Sequence, residues 1–426
     1  MRRKKRRPSP GMPGSLLLLG SAGVLAVFLL LAGARLLNRG PAAQGVQASP
    51  PSAPLSGSAI PTGADDCRAV WISYLEYEGM DFSSAEVLRA QVSDMMRNCA
   101  ELGLDRVLVQ VRPFGDALYA SALFPWSHLI TGTQGQNPGY DPFSIFVEEA
   151  HAHGLAIEAW VNPYRIQLTA AKPAALSGDN PAVVHPEWAL SNGGGLFYDP
   201  SQPQVRQLIT DGVMELVRGY DIDGVHFDDY FYPYPLEEPF DAAAAPAGVD
   251  LAQWRRDNVD ALIRQVYGAI KAEKPDVSFG VSPQGNNQNN YDQQYSDVGM
   301  WMSTPGYLDY VMPQIYWGFG YLTSSGREDY QFERLVRQWA SMPRAQGVKL
   351  YIGLGAYRLG AGDGGSNDQA EWTSGHNLAD MVRCSREAGA DGFCLFRYAD
   401  LFPGGEWAAA ERQSLASLLK TGPAEG

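Results

Sequence analysis

The sequence has few cysteines and lacks the short motifs that mark several large enzyme classes. Four cysteines occur among 426 residues, and their spacing does not fit a metal site. The chain also lacks an HExxH sequence, a phosphate-binding glycine loop, a dinucleotide fingerprint and the nucleophile elbow of serine hydrolases. These absences argue against zinc-dependent, nucleotide-dependent and serine-dependent chemistry. We therefore predict that no metal and no other cofactor is needed.

Positive charge is scarce beyond the N-terminus. Eight of the 33 basic residues precede Gly40, whereas none of the 47 acidic residues does. The rest of the chain therefore carries 25 basic against 47 acidic residues, which argues against nucleic acid as a partner. This balance also disfavours a strongly polyanionic substrate, unless individual arginines contact it.

The first 64 residues are predicted to be separate from the globular part. Six basic residues at positions 2–7 precede an uncharged run at 16–34, which as a helix would be about 28 Å long, enough to cross a bilayer. The basic flank is expected to stay inside. We divide the chain into a basic cytoplasmic tail (1–14), a transmembrane signal-anchor (15–37), a linker rich in Pro, Ala, Ser and Gly (38–64) and a globular domain (65–426). The alternative is a signal peptide cleaved after Ala32-Gly33-Ala34, which would give a secreted protein instead of a single-pass protein of the cell membrane.

Beyond residue 65, apolar strands alternate with helices. Short apolar runs predict strands at 68–73, 105–111, 155–161, 222–227, 277–282, 310–316, 349–354 and 392–397. Helical spacing predicts helices at 143–153, 202–218, 254–273, 332–339, 377–388 and 408–419, and another that starts with a capping box of Ser83 and Glu86. Eight such units predict a (β/α)8 TIM barrel with long loops at its C-terminal face. In this fold Cys67 and Cys99 could form a disulfide, and buried free thiols are the alternative.

The run at 222–233 is the centre of the predicted site. In strand geometry His226 and Asp228 share one face, and Asp229 follows where the strand becomes a loop. Adjacent carboxylates repel each other, which raises one pKa and leaves a proton donor beside an anion. Such a pair is suited to general acid catalysis.

Polar and aromatic residues end the other strands as well, at the face where barrel enzymes have their active sites. Flat apolar rings beside carboxylates and amides suit sugar rings, although some of these rings are expected only to pack the loops. The alternative is a polar plug without chemistry, in which every buried polar atom finds a protein partner. The predicted substrate contacts are Arg112, Trp160, Asn162, Tyr164, Arg165, His226, Tyr230, Gln284, Gln314, Tyr316, Trp317, Tyr357 and Arg397.

Several motifs resemble one bacterial family. They are QVRP at 110–113, EAWVNPYR at 158–165, YDP at 198–200, GVHFDDYFYP at 224–233 and PQIYW at 313–317. In this order they resemble glycosyl-hydrolase-like family 10, formerly a domain of unknown function, over a match from about Cys67 to the C-terminus. The resemblance implies a barrel domain (65–426) that acts on glycan, and relatives of this kind cleave peptidoglycan strands stripped of their stem peptides.

Two arrangements of catalytic carboxylates remain open. In the first, Asp228 orients the 2-acetamido group of the substrate and Asp229 protonates the leaving oxygen, as in barrel N-acetylglucosaminidases with an Asp-Asp pair after strand four. In the second, Asp228 works with Glu158 from the neighbouring strand, and their separation decides between retention and inversion. We favour the first, because strands five to seven end without a convincing acid.

Other readings remain open too. The chain could be a membrane-anchored, non-catalytic glycan-binding protein, or a glycosidase of another extracellular polysaccharide. The arginines at 112, 165, 358 and 397 could contact the lactyl carboxylate of muramic acid, or they could pair with neighbouring acidic side chains.

Overall fold

The computed structural model describes residues 66–169, 173, 175–366 and 369–420. Within these ranges, no helix combines the length and the apolar character needed to cross a bilayer. The predicted tail, signal-anchor and linker (1–64) lie outside the described residues and stay predictions.

The described part of the chain forms a closed barrel of eight parallel strands. They are β1 (Cys67–Ile72), β2 (Arg106–Arg112), β3 (Ala156–Val161), β4 (Gly224–Phe227), β5 (Ser278–Val281), β6 (Tyr310–Val311 with Gln314–Ile315), β7 (Lys349–Gly355) and β8 (Gly392–Phe396). Strands that follow each other in the chain are paired, and β8 returns to β1 with Cys67 opposite Gly392. The predicted (β/α)8 barrel is thereby confirmed.

Helices cover the outside of the barrel. The main ones are α1 (Ala85–Leu102), α2 (Pro142–Ala152), α3 (Pro203–Gly219), α4 (Leu251–Glu273), α5 (Val298–Ser303), α6 (Phe332–Ser341), α7 (Asn377–Glu387) and α8 (Glu406–Lys420). Other helices are Tyr74–Tyr77, His128–Thr131, Pro181–Val184, Asn287–Gln293 and Tyr398–Leu401. Single 3₁₀ turns occur at Pro186–Trp188, Ala242–Ala244, Ala356–Arg358 and Ala370–Thr373.

Helix α1 shows how the local sequence sets an element. Leu88, Val92 and Cys99 form part of its buried stripe, at the spacing expected of a helix that packs on a sheet. The predicted capping box is wrong, because the hydroxyl that caps the helix is that of Ser84, whereas Ser83 lies before it. Gly103 ends the helix at φ 93°, a left-handed conformation that side chains disfavour.

The strand predicted at 310–316 is divided in the structure. Its two halves both pair with β7, but Met312 and Pro313 separate them. Pro313 has no N–H to donate to the sheet, which explains the interruption.

A small antiparallel sheet between β3 and α3 was not predicted. Its strands are Arg165–Gln167, Ala189–Asn192 and Gly195–Tyr198, with the last one in the middle. They are short and lie among prolines and glycines, so the sequence signal for them is weak. This sheet positions Arg165.

Two apolar cores lie on either side of the barrel wall. The interior core includes Trp71, Leu108 and Trp160, and the larger core fills the space between the strands and the helices. Cys67 belongs to the interior core and Cys99 to the outer one, so the wall separates them. The disulfide considered for this pair is therefore wrong, and all four cysteines are free.

Candidate active site

Asp228 and Asp229 follow β4 at the carboxyl end of the barrel. Val225 and Phe227 pack in the outer core, so His226 between them points into the barrel. Asp228 is 4% exposed and Asp229 is 8% exposed. The chain thus buries two adjacent carboxylates at the mouth.

Asp228 is held by donors on both of its oxygens. The side-chain amide of Asn162 donates to one oxygen, and the backbone N–H of Tyr230 donates to the other at 3.3 Å. Asn162 is fixed in turn by Gln110, whose amide donates to its carbonyl oxygen at 2.6 Å. Burial raises the pKa of Asp228 above its ordinary value, and the charge of Arg165 and these donors reduce that rise. The donors therefore favour the anion at this position.

Asp229 is in a less favourable place for a charge. Burial, followed by the charge of Asp228, raises the pKa of Asp229 to about 7. The Gln314 amide nitrogen donates to Asp229 at 3.1 Å and to the carbonyl oxygen of Ser282 at 2.8 Å. Gln284 also lowers the pKa of Asp229, but burial outweighs both amides. The pair therefore offers a proton donor beside an anion near neutral pH.

One further amide supports this pair. With its side-chain amide oriented as its neighbours require, Gln294 accepts from Gln284 at 2.9 Å and donates to the backbone oxygen of Asp229 at 3.2 Å. Sequence reasoning missed Gln294, because it lies beyond the strand end in a run of similar polar residues.

Four aromatic rings at the ends of β1, β6, β7 and β8 form an aromatic wall: Trp71, Tyr316, Tyr357 and Phe396. The Tyr316 ring lies 5.6 Å from the rings of Tyr357 and Phe396, and Phe396 lies 5.8 Å from Trp71. Burial raises the pKa of Tyr316, and the charge of Asp229 adds to this rise, so the wall adjoins the carboxylates. Sequence reasoning missed Trp71 and Phe396, although strand alternation from Cys67 turns Trp71 inward.

Arg165 lies in an aromatic box beside the pair. Its guanidinium carbon is 5.7 Å from the ring centre of Tyr74, 5.1 Å from that of Phe114 and 5.2 Å from that of Tyr230. Its Nε donates to the carbonyl oxygen of Pro113 at 2.8 Å. These contacts fix a cation at the mouth.

His226 lies beneath the mouth in a network of protein groups. Its Nδ1 is 2.8 Å from the Tyr310 hydroxyl, and its Nε2 is 2.9 Å from the Ser282 hydroxyl and 3.3 Å from the Trp71 indole nitrogen. Burial lowers the pKa of His226 to about 3, so the ring is neutral. All these neighbours belong to the protein, and the geometry favours a supporting role over the predicted substrate contact.

Glu158 is fully buried and bonded to protein groups. It forms an ion pair with Arg106, accepts from the Tyr310 hydroxyl and accepts from the Ser278 hydroxyl at 3.3 Å. Arg106 is the first residue of β2, so this cluster belongs to the amino-terminal half of the barrel.

The position of Glu158 does not suit a catalytic pair with Asp228. Glu158 lies opposite Gly224, and Asp228 follows four residues later, or about 13 Å along the strand. Pairs of glycosidase carboxylates are about 5 to 9.5 Å apart. The structure therefore favours the adjacent pair of Asp228 and Asp229 over the arrangement with Glu158.

The prediction that Arg112 contacts substrate is contradicted by the structure. A bulge between Gln110 and Arg112 shifts the register, so that Arg112 lies opposite Val161 and turns away from the interior. Its guanidinium lies 4.2 Å from the ring centre of Phe124 and packs against Gly212 of α3. Simple alternation along β2 would have placed this side chain in the mouth.

Three other predicted contacts also have protein partners. Tyr164 is 1% exposed within the outer core. Arg397 forms an ion pair with Glu76 at 3.2 Å. Pairing with an acidic side chain was one of the two alternatives predicted for the arginines. Trp317 packs on Tyr330 with 4.8 Å between ring centres, which braces the loop after β6.

The remaining predicted residues lie at the mouth. Trp160 is an interior residue whose ring is 6.3 Å from that of His226, and it helps to lower the pKa of Asp228.

An open cleft of about 630 Å³ between the loops after β1 and β2 contains none of the predicted site residues. In the described ranges, no group of three or more His, Cys, Asp or Glu side chains is arranged to hold a metal ion.

Comparison with known proteins agrees with this geometry. Residues 66–374 match the family described as Glycosyl hydrolase-like 10. The chain belongs to this family. Membership places the chain among glycoside hydrolases, and the match contains both Asp228 and Asp229.

The chain is also similar to two named glycosyl hydrolases. The chain is 35% identical over 347 residues to "Glycosyl hydrolase YngK" of Bacillus subtilis (strain 168), which covers 76% of this chain and 66% of the relative. It is 37% identical over 309 residues to "Glycosyl hydrolase DigH" of Escherichia coli (strain K12), which covers 65% of this chain and 68% of the relative. The chain thus spans about two thirds of each relative.

Solved structures show weaker similarity. The PgaB (BpsB) glycoside hydrolase domain from Bordetella bronchiseptica is 15% identical, with a TM-score of 0.49 over 82% of this chain and 99% of that domain. Alpha-L-fucosidase isoenzyme 2 from Paenibacillus thiaminolyticus is 15% identical, with a TM-score of 0.48 over 82% of this chain and 48% of that protein.

Proposed function

We propose that the chain hydrolyses glycosidic bonds in an N-acetylated cell-wall glycan, namely peptidoglycan strands stripped of their stem peptides. The observation that carries this proposal is the buried pair of Asp228 and Asp229. One member keeps a proton near neutral pH, and the other is surrounded by donors. Membership of the family supports the class of reaction. The polymer is suggested by the resemblance of the sequence motifs to those of relatives that cleave peptidoglycan.

In the first step Asp229 is the general acid. It donates its proton to the glycosidic oxygen while the bond from that oxygen to C1 breaks. The carbonyl oxygen of the substrate's 2-acetamido group attacks C1 and forms a cyclic oxazolinium ion. Asp228 accepts the acetamide N–H, which orients the group and stabilises the positive charge that develops on it.

In the second step a water molecule attacks C1. Asp229, now anionic, accepts the proton of the water, and the acetamido group is released with retention of configuration. This route needs no enzyme nucleophile. It fits a site in which Glu158 is bonded deep in the barrel. Asp363, in the loop after β7, is also bonded to protein groups, since it accepts from the backbone N–H groups of Gly318 and Gly365.

Location is a further part of the proposal. We place the catalytic domain outside the cytoplasm, with residues 15–37 as a membrane anchor. The uncharged run and its basic flank support this placement. Protease treatment of intact spheroplasts should degrade the domain, and in untreated cells the protein should be recovered in the membrane fraction. Protection from protease, or recovery in the soluble fraction, would contradict the anchored topology.

Product analysis tests the proposed activity. Wild-type protein should release muramic acid–glucosamine fragments from peptide-stripped peptidoglycan and little from intact peptidoglycan. Asp229→Asn and Asp228→Asn should each reduce release by about 100-fold or more, because each removes a group that acts on the reacting atoms. Asp221→Asn is the matched control, since Asp221 precedes the same strand but its side chain is 94% exposed.

The outcomes separate the competing functions. Binding to stripped glycan without any product from the wild type would identify a glycan-binding protein. Absence of both binding and product would direct the search to another polysaccharide. A thiazoline analogue of N-acetylglucosamine, which resembles the cyclic intermediate, should inhibit turnover. If it does not, the substrate-assisted route is wrong, and a carboxylate would have to act as a nucleophile or as a general base instead.

A further inference from the structure

Arg165 is a buried cation with unused donor groups at the mouth. It is 5% exposed, and Nε is occupied by the carbonyl oxygen of Pro113. Within the described ranges, neither of its Nη groups has a hydrogen-bond or ion-pair partner. A guanidinium presents planar, paired donors that match a carboxylate. The surrounding rings exclude water, which strengthens the pairing with any anion that reaches it.

The other arginines at the strand ends are committed elsewhere. Arg112 is turned away by the bulge, and Arg397 is paired with Glu76. Arg358 donates to the carbonyl oxygen of Gly362 at 3.4 Å and braces the loop after β7. Arg165 contributes a positive charge that lowers the pKa of Asp228. The cation and the catalytic carboxylate are therefore neighbours.

This neighbourhood constrains the sugar that is cleaved. In the proposed mechanism, Asp228 binds the acetamido group on C2 of the ring whose C1 is attacked. A group on C3 of the same ring is adjacent to that acetamido group. In muramic acid, C3 carries a lactyl ether that ends in a carboxylate, whereas glucosamine carries a neutral hydroxyl there. An arginine beside Asp228 is placed to distinguish the two.

We propose that Arg165 binds the lactyl carboxylate of muramic acid in the ring that is cleaved. This inference rests on the proposed function and specifies its linkage. The enzyme then cuts on the C1 side of muramic acid, and each new reducing end is muramic acid. A stem peptide converts the lactyl carboxylate into a neutral amide, so the same arginine explains a preference for stripped strands.

The first experiment identifies the new reducing ends. Products that the full-length wild-type protein releases from stripped peptidoglycan are reduced with borohydride and analysed by mass spectrometry. The reduced residue should be muramitol. Reduced glucosamine at the new ends would overturn the inference and leave the proposed function standing. Absence of products from stripped peptidoglycan would overturn the proposed function itself.

The second experiment tests the carboxylate. Stripped glycan is compared with the same glycan after carbodiimide coupling to methylamine, which makes the lactyl group a neutral amide. Wild-type kcat/KM should be at least about 10-fold higher on the free acid, as expected for a hydrogen bond between charged groups. Equal values on the two polymers would contradict the role of Arg165, and this result needs no variant.

The variant Arg165→Gln completes the test. Its preference for the free acid over the amide should fall to about one. This ratio is the informative quantity, because any effect of the lost charge on Asp228 slows both substrates equally. Arg165→Lys should keep part of the preference. Arg337→Gln, on the exposed face of α6, is the control and should keep the wild-type ratio. A wild-type ratio in Arg165→Gln would overturn the inference.

A second polymer separates two sources of the carboxylate. Hyaluronan is N-acetylated, but its carboxylate belongs to C5 of the neighbouring uronic acid. It should not be cleaved. If the protein cleaves hyaluronan in an Arg165-dependent manner and leaves stripped peptidoglycan intact, the peptidoglycan assignment is wrong, and with it the contact to muramic acid.

Discussion

Asp229 is a carboxylic acid whose surroundings oppose ionisation, because burial and the charge of Asp228 raise its pKa to about 7. In an unfolded chain an aspartate has a pKa of about 3.9. The folded protein therefore binds the proton more tightly, and wild-type stability falls as the pH rises from about 4 to about 7. The full cost, at most about 4 kcal/mol, is present above the folded-state pKa.

We predict that Asp229→Asn is more stable than the wild type at alkaline pH. Asparagine keeps an acceptor for Gln314 but carries no charge to bury. The gain should be about 2 kcal/mol at pH 8 and should nearly vanish at about pH 3, where aspartate is largely protonated in both states. Urea unfolding at both pH values measures it, with Asp221→Asn as the control. A variant less stable than the wild type at pH 8 would show that the ionised carboxylate of Asp229 does not destabilise the folded protein.

Activity should depend on the same proton, and like stability it should be higher on the acidic side of the folded-state pKa. Because Asp229 must be protonated to act as the acid, kcat/KM should decline as the pH rises through about 7. Gln314 lowers the pKa of Asp229, so Gln314→Ala should move this decline to higher pH, by roughly half a unit. A pH–rate profile of each protein tests the shift. Movement to lower pH would exclude Asp229 as the group that titrates.

At the scale of the element, the bulge in β2 determines which side of the wall receives Arg112. The outward guanidinium of Arg112 fits because α3 has a glycine, Gly212, at the point where the helix passes over it. A Cβ on Gly212 would lie 2.6 Å from the Arg112 Nη1 atom and 2.6 Å from a ring carbon of Phe124. Neither neighbour can move easily, since both are almost fully buried.

We therefore expect two glycine-to-alanine substitutions in helices to have opposite effects. Gly212→Ala should destabilise the protein by about 1–3 kcal/mol through overpacking. Gly268→Ala, in α4, should stabilise it by up to about 1 kcal/mol, because a Cβ there meets nothing within 4 Å and alanine favours the helix. Thermal unfolding of both variants is the measurement. Equal effects would mean that α3 can shift away from Arg112.

The elements differ in how far their sequences determine them. Apolar runs in alternation with helical spacing predicted all eight strands, because a parallel sheet covered by helices leaves that pattern. The bulge after Gln110 leaves no such trace, and the split of β6 follows from Pro313 only once the partner strands are known. Ser83 and Ser84 are equally good caps by sequence, and in the structure Ser84 caps the helix while the backbone N–H of Ser83 donates to Asp81.

At the scale of the whole molecule, the barrel interior divides into a supporting lower half and a reactive mouth. Arg106, Glu158, Tyr310 and His226 form a continuous chain of contacts along the interior. Glycines make room for it, since a Cβ on Gly224 would lie 2.7 Å from the Glu158 carboxyl carbon. The acidic pair could be predicted from the local sequence. The depth of Glu158 could not, because depth depends on the stagger between strands.

This division predicts the behaviour of Glu158→Gln. Removing the charge leaves Arg106 without its buried counter-ion, which should destabilise the protein by about 2 kcal/mol, less than for a fully buried pair because Arg106 is partly exposed. Turnover by the folded protein should stay within about threefold of the wild type. If Glu158 were a catalytic partner of Asp228, turnover would fall by roughly 10,000-fold or more.

A double variant distinguishes the two explanations for a loss of turnover in Glu158→Gln, namely reduced stability and a direct role of Glu158 in catalysis. Adding Arg106→Gln removes the cation that was left unpaired, so the double variant should recover part of the stability that Glu158→Gln loses. Denaturation midpoints and initial rates on stripped peptidoglycan are measured for the wild type, both single variants and the double variant. Recovery of stability with unchanged turnover is expected if the ion pair supports the barrel below the site. A rate that stays low in every protein lacking Glu158, whatever its stability, would indicate that the Glu158 carboxylate takes part in catalysis.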